Sequence, residues 1–172
     1  AFLNLFSKKS YHVERFISDD FKKRLAEILD KEQFDVVQLE MLYMTPYVDT
    51  IRQHSKAMIV LRAHNVEHKI WERIAKETRF FVKRWYINHL AKTLKEYELN
   101  ALETVDGIAA ITRKDAAFFR QYCSKPIIDI PYGVYPEEFT PKSEIEGKPK
   151  FYHIGSMNWM PNEEGIRWFI DE

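Results

Sequence analysis

The sequence has one cysteine, only five glycines among 172 residues, and no excess of charge of either sign. Because Cys123 has no second cysteine to pair with, an internal disulfide is excluded and a reducing, cytoplasmic environment is favoured. Lysine plus arginine equals aspartate plus glutamate, at 26 each, so the net charge does not indicate a nucleic-acid partner. No apolar run approaches the roughly 20 residues that a transmembrane helix needs.

The sequence does contain enough apolar residues for a packed domain, and they alternate between strand and helix patterns. Hydrophobic residues make up 45% of the chain. The predicted strands are 34–39, 57–61, 107–111 and 126–130. The predicted helices are one that Ser18 caps and that runs to about residue 31, then 45–54, 65–77, 80–101, and one opened by Thr112. This alternation predicts an α/β fold with a doubly wound, parallel, Rossmann-like sheet. The run 57–61 is apolar throughout, which predicts a strand covered on both faces.

The end of the chain has the pattern of a new domain that has just begun. Phe151 to Ile154 is predicted to be a strand, followed by Gly155, Ser156 and a helix from Asn162. One strand and one helix cannot bury their own apolar faces. The large side chains expected to be exposed for this reason are Trp159, Trp168 and Phe169.

These patterns divide the chain into three parts. Residues 1–140 are predicted to form a first domain, the polar stretch 141–149 a linker, and residues 150–172 the start of a second domain. We therefore expect the sequence to be a fragment of a two-domain protein.

Five motifs follow one another in a recognisable order. They are Phe34-Asp35-Val36-Val37, Arg62-Ala63-His64-Asn65-Val66-Glu67, the segment from Asp106 to Thr112, Ile130-Pro131-Tyr132-Gly133-Val134, and the segment from Gly155 to Asn162. In order and spacing they resemble the retaining, nucleotide-sugar-dependent GT-B glycosyltransferases of family four. The resemblance covers the chain from residue 34 to its end.

The resemblance implies a function as well as a fold. Residues 1–140 would be the acceptor-side domain without its N-terminal strands, and residues 150–172 the first βα unit of the donor-side domain. The full-length enzyme would transfer a sugar, with retention, from a nucleotide sugar to a saccharide or lipid-linked acceptor in cell-surface polysaccharide synthesis. It would need no metal and no cofactor, and it would work in the cytoplasm or at the inner face of the membrane.

The candidate catalytic residue is His64. It follows a predicted strand and precedes a helix, so it lies at the carboxyl edge of the sheet, where ligands of open α/β sheets bind. The resemblance implies that His64 hydrogen-bonds the donor sugar, with Arg62, Asn65 and Glu67 beside it as substrate-binding residues. Without the resemblance, Asn65 is equally well a helix cap, Glu67 a partner of the helix dipole and His64 an ordinary loop residue.

A glycine and the serine that follows it, in the predicted second domain, are candidates for diphosphate binding. Gly155 and Ser156 end the predicted strand 151–154, where a small residue lets the backbone approach a phosphate. An ordinary turn between a strand and a helix would explain Gly155 without a ligand. The glutamate pair that the family uses to hold the donor is expected beyond Glu172, so we expect this chain alone to be inactive.

Two glutamate pairs within the chain have the family's spacing but lie elsewhere. They are Glu32 with Glu40, and Glu164 with Glu172. The first pair falls at a helix end and in a strand, and the family's own pair lies deep in the second domain. Neither pair is therefore assigned a role in donor binding.

Two other functions are compatible with the same residues. His64 to His68 fits H-x-x-E-H, an inverted zinc-protease motif, but zinc requires both histidines on one helical face and His64 is expected to precede the helix. Metal analysis would identify a zinc hydrolase. A non-catalytic α/β domain that binds a partner or nucleotide at the same edge is the other alternative, and the full-length reading frame would discriminate it.

A basic and aromatic segment runs from Arg79 to Lys95. It holds Arg79, Lys83, Arg84, Lys92 and Lys95 and contains no acidic residue. Such a helix can rest on anionic lipid, which would make Arg79, Lys83 and Arg84 a peripheral membrane contact. More often a run of this kind is the solvated face opposite a core stripe.

Overall fold

A computed structural model describes residues 10–138, 151–158 and 160–171. The chain divides into two compact units, Ala1–Gly133 and Val134–Glu172. In the first unit the helices are α1 Tyr11–Glu14, α2 Asp19–Lys31, a 3₁₀ helix Leu42–Tyr47, α3 Val48–His54, α4 Glu67–Glu77, α5 Phe81–Thr104 and α6 Arg113–Phe119. Its strands are β1 Val36–Glu40, β2 Met58–Ala63, β3 Gly107–Ala110 and β4 Ile127–Asp129. Within the described residues, no helix is both long and apolar enough to cross a bilayer.

The four strands form one parallel sheet in the order β1-β2-β3-β4. The predicted α/β class and parallel, Rossmann-like sheet are therefore confirmed. Each connection moves to the next strand in the same direction, and right-handed crossovers in one direction place their helices on one face. The reversal that defines double winding does not occur among these four strands, so the described sheet does not show the predicted double winding.

The core lies between one face of the sheet and the helices. Ile59, Leu61 and Ile108 on the sheet pack in one buried cluster with Ile51 of α3 and Phe119 of α6. Apolar burial on this face is the main source of stability for the unit.

No described helix covers the outer part of the opposite face of the sheet, although Ala109 at its centre is buried. Val36, Met58 and Ile128 lie on it and are exposed. The prediction that the apolar run 57–61 is covered on both faces is wrong for the described residues. An apolar sequence predicts that a strand is buried. The direction of the crossovers determines which face of the sheet the helices cover.

The helix starts agree with the predicted capping residues. The Ser18 hydroxyl accepts a hydrogen bond from the amide of Phe21 at the start of α2, and Thr112 accepts one from Asp115 at the start of α6. The predicted helix 45–54 is in fact a 3₁₀ helix followed by α3. The 3₁₀ segment contains Pro46, which cannot donate the backbone hydrogen bond that an α-helix requires.

The second unit contains one described α-helix, α7 Met160–Asp171. The predicted strand Phe151–Ile154 does not form in the described chain, because no described strand pairs with it and an unpaired strand has no ladder to hold it. Trp168 and Phe169 are exposed, as predicted. Trp159 and the linker 141–149 lie outside the described residues.

Candidate functional site

Three polar side chains from two neighbouring strands meet at the carboxyl edge of the sheet. Glu40 ends β1, Arg62 lies opposite it in register on β2, and His64 follows β2 directly. The Nε2 atom of His64 is 2.8 Å from the carboxylate of Glu40. The Nε atom of Arg62 lies 3.8 Å from the same carboxylate oxygen. The carboxyl edge therefore holds a small cluster in which Glu40 joins the two basic side chains.

Tyr132 supplies an aromatic wall to this cluster. It follows β4, and its ring lies 5.1 Å from the guanidinium carbon of Arg62 and 6.3 Å, edge to face, from the His64 ring. A guanidinium over an aromatic face is held in orientation by the ring quadrupole. Arg62 and His64 keep about a quarter or less of their side-chain surface in solvent, so both are fixed and still reachable.

The charge state of the cluster follows from its contacts. The hydrogen bond from His64 is the largest of the effects that lower the pKa of the Glu40 carboxyl, and Gln38 and the charge of Arg62 add to it. Glu40 is therefore ionised at neutral pH. Since a carboxylate can only accept, the Nε2 atom of His64 carries a proton in this bond, and its Nδ1 atom is left for another partner.

The backbone is strained next to this cluster. Met41, which follows Glu40, has φ 73° and ψ 156°, a region in which non-glycine residues are rare. Its amide donates to the carbonyl of Arg62 at 3.1 Å, which continues the pairing of β1 with β2 for one residue beyond the strand. Strained backbone of this kind costs about 1 to 3 kcal/mol and is enriched at ligand sites.

A second polar cluster lies behind the edge and is buried. Glu98 of α5 accepts hydrogen bonds from the backbone amides of Glu67 and His68, at 2.9 and 3.1 Å, and from the His68 ring at 2.5 Å. Side chains of His68 and Glu98 are almost completely buried. Glu98 thus caps the first turn of α4 from a neighbouring helix, and the free amides of that turn are satisfied inside the protein.

Glu67 belongs to the buried cluster as well. Its carboxylate accepts a hydrogen bond from the Tyr43 hydroxyl at 2.9 Å and one from the side-chain amide of Asn65 at 3.4 Å. Burial is the main reason that the pKa of Glu67 is raised, and the pKa of Tyr43 is also raised, first by burial and then by Glu67. The structure therefore places Glu67 inside the protein, where it orients Asn65, and not on the edge.

The two histidines of the H-x-x-E-H motif do not come together. His64 precedes α4 and is bonded to Glu40, whereas His68 lies inside α4 and is bonded to Glu98. Among the described residues, no group of three or more histidine, cysteine or acidic side chains is placed to hold a metal ion. The geometry that a zinc hydrolase requires is not present in this part of the chain.

Two members of the edge cluster were not assigned from the sequence. Glu40 was considered only for its spacing from Glu32, and Tyr132 only as a member of the motif Ile130–Val134. The signal that could have identified them is position, since each ends or follows a parallel strand at the same edge of the sheet as His64. Using it requires the strand order and register, which sequence periodicity does not supply.

In the second unit, Gly155 occupies a crowded turn. A Cβ atom added there would lie 2.5 Å from Nε2 of His153 and 2.8 Å from Nδ2 of Asn162. Asn162 donates to the carbonyl of Ser156 at 3.0 Å, and the Ser156 hydroxyl accepts from the amide of Asn158 at 3.4 Å. These contacts explain the glycine as part of a closed turn at the start of α7.

The second unit contains a mainly apolar groove. It has a volume of about 520 Å³, and its walls include Phe151, Ile166 and Phe169. This groove lies beside a helix whose apolar side chains Trp168, Phe169 and Ile170 are exposed. We therefore regard it as an uncovered core face, and the polar cluster at the sheet edge as the better candidate site.

Comparison with protein-family models, with curated proteins and with solved structures found no match to this chain. Its function must therefore be inferred from its own residues.

Proposed function

We propose that this chain is part of a retaining GT-B glycosyltransferase that transfers a sugar from a nucleotide sugar to a saccharide or lipid-linked acceptor. In this proposal the first unit is the acceptor-side domain and the second unit begins the donor-side domain. The resemblance of the five motifs supports the family. The full-length enzyme would act in the cytoplasm or at the inner face of the membrane, in cell-surface polysaccharide synthesis.

The observation that carries the proposal is the cluster of Glu40, Arg62 and His64 at the carboxyl edge. Ligands of open α/β sheets bind at this edge. The strained backbone of Met41 lies directly beside Glu40, and such strain is enriched at ligand sites. A sugar offers hydroxyl groups that both donate and accept, and a nucleotide sugar adds a diphosphate. An imidazole and a guanidinium beside an aromatic ring match both chemistries.

In the proposed reaction each residue has a distinct role, and the observed contacts support it. With Nε2 bonded to Glu40, the Nδ1 atom of His64 is the one that can accept a hydrogen bond from a sugar hydroxyl near the reacting carbon. Glu40 positions the His64 ring and holds Arg62. Arg62 would offset negative charge on the departing diphosphate, and Asn65, oriented by Glu67, would bind a further hydroxyl. Catalysis then rests on orientation and electrostatic stabilisation.

The test uses the full-length protein and a panel of radiolabelled nucleotide sugars. His64→Ala should lower kcat by about tenfold to a hundredfold, the cost of one hydrogen bond made in the transition state. His54→Ala is the matched control, because His54 has the same 2.8 Å contact with a carboxylate, that of Asp30, but lies just before β2 at the other edge. Equal activity of the His64 variant and the wild-type protein would contradict the site assignment.

The same assay separates the enzyme from a non-catalytic binding domain. If the full-length protein binds a nucleotide sugar but turns none over, the binding domain is the better interpretation.

A further inference from the structure

We propose that the turn between α4 and α5 is a membrane anchor that inserts aromatic side chains into an anionic lipid bilayer. We call this segment, Arg79 to Trp85, the hairpin tip. The proposal rests on exposure, charge and geometry of the tip, and it does not depend on the proposed sugar transfer.

Every residue of the hairpin tip is exposed. Phe80 is 63% exposed, Phe81 69% and Trp85 59%, and Val82 between them is exposed as well. Four large apolar side chains in one seven-residue segment form a contiguous patch, which soluble surfaces usually avoid. Phenylalanine and tryptophan are also the side chains that occupy the boundary between lipid headgroups and acyl chains.

The patch lies on the outer side of α5, away from its core stripe. Further along the helix, Ile87, Leu90 and Leu94 are buried. Phe81 and Trp85 are four residues apart and share a face, but their continuation along that face is polar, at Asn88 and Lys92. The apolar residues of the tip therefore do not extend the core. A solvated face opposite the core stripe would explain the cations of residues 79–85 but not the exposed aromatic side chains among them.

The cations of the hairpin tip favour an anionic partner. Arg79, Lys83 and Arg84 are exposed, and the segment contains no acidic residue. Within the described part of the chain, no ion pair holds any of these three cations. Cations around an aromatic patch match anionic headgroups around acyl chains, and each such cation adds about 1 kcal/mol of attraction to an anionic membrane, or about fivefold in binding. A neutral protein groove would leave these charges without partners.

Among the described residues, the hairpin tip lies away from the rest of the unit. Helices α4 and α5 run antiparallel, with Glu98 at the first turn of α4 and Lys95 3.9 Å from Glu72 one turn further on. From residue 98 to residue 81, α5 extends by about 25 Å at 1.5 Å per residue. Because α4 begins just after β2, the hairpin projects beyond the carboxyl edge of the sheet. A bilayer touched by the tip would lie on the same side of the sheet as Glu40 and His64.

The test is flotation of the purified chain with phosphatidylcholine vesicles, with and without phosphatidylglycerol. We expect binding to the anionic vesicles and little binding to the neutral ones. The double variant Phe81→Ser and Trp85→Ser should lose binding, and Lys83→Glu with Arg84→Glu should weaken it by at least about tenfold. The matched control is Lys22→Glu with Lys23→Glu on α2, which makes the same charge change at exposed positions and should bind like the wild-type chain.

Several outcomes would overturn the proposal. The proposal is wrong if the chain binds neither kind of vesicle or binds both equally. It is also wrong if the α2 control loses as much vesicle binding as the charge variant of the tip. If the tip variants instead abolish self-association in sedimentation without lipid, the tip contacts a second copy of the chain. Circular dichroism of every variant verifies folding. Because no sugar is used, the membrane proposal and the glycosyltransferase proposal can fail separately.

Discussion

His64 and His68 lie four residues apart, and each is hydrogen-bonded to a glutamate, yet their surroundings are opposite. The His64 contact with Glu40 is 2.8 Å long and lies at the open edge of the sheet, where Glu40 keeps half of its side-chain surface in solvent. The His68 contact with Glu98 is buried almost completely. The same kind of pair therefore holds a helix in the interior and, at the open edge, forms part of the proposed binding site.

The buried pair should matter most for folding. Glu98→Ala removes the acceptor for two amides of α4 and for the His68 ring, all of them buried. We expect the free energy of unfolding to fall by about 3 to 5 kcal/mol. Urea unfolding measures this loss. Glu98→Gln, which keeps the shape and one acceptor, should lose less, and it provides a folded variant if the alanine variant does not accumulate.

A loss below about 1 kcal/mol for Glu98→Ala would contradict the role of this cluster in holding α4. The contrast between the two pairs would then disappear.

Much of the fold could be predicted because strands and helices have different periods. The apolar runs that became β2 and β3 located the strands to within two residues, and the capping residues Ser18 and Thr112 located two helix starts. The open sheet face could not be predicted in this way. It depends on the direction of successive crossovers, which is a property of the whole topology.

The site was predictable only in part, for a related reason. His64 was identified because it follows a strand, which is a local property. Its contact with Glu40 depends on the register between two strands. The hydrogen bond from the Glu67 amide to the Glu98 carboxylate joins residues 31 positions apart in the sequence. Neither contact is a local property. Glu98 did leave a signal in the sequence, since it is a charged residue four positions after Leu94 in the apolar stripe of α5. A charge in such a stripe indicates a buried partner.

His12 shows what burial does to a histidine that no described carboxylate contacts. It is buried, its ring centroid lies 4.0 Å from that of Trp71 with the two rings tilted, and its Nε2 atom has no hydrogen-bond partner among the described residues. Burial, with a smaller effect of the Arg15 charge, lowers the pKa of His12 from 6.5 to about 4. Between these values the unfolded chain binds a proton that the folded chain does not, so the contribution to stability is complete above pH 6.5 and is lost as the pH falls towards 4.

We therefore expect about 2 kcal/mol of stability to be lost through His12 over this range, after allowance for solvent screening. Urea unfolding at a series of pH values measures the slope, and His12→Phe, which keeps an aromatic ring against Trp71, should flatten it. Equal slopes for the variant and the wild-type chain would show that His12 is reached by solvent.

The strain at Met41 offers a smaller test of the edge. Met41→Gly and Met41→Ala both remove the side chain, but only glycine tolerates the backbone angles found there. The glycine variant should be more stable than the alanine variant by about 1 kcal/mol, less than the full strain because glycine also loses more entropy on folding. Thermal unfolding of the two variants side by side measures the difference. If alanine were the more stable, the backbone at the edge would not be strained.

The smallest effect on stability is expected at the edge pair itself. His64→Ala removes a contact to a half-exposed carboxylate, and exposed pairs of this kind contribute less than about 1 kcal/mol. We expect a change in the free energy of unfolding below about 0.5 kcal/mol, equal to that of the control His54→Ala. Urea unfolding of the two variants provides the comparison. A loss as large as that of Glu98→Ala would make His64 a structural residue, because a side chain kept at an edge for recognition should cost function when removed and leave the fold intact.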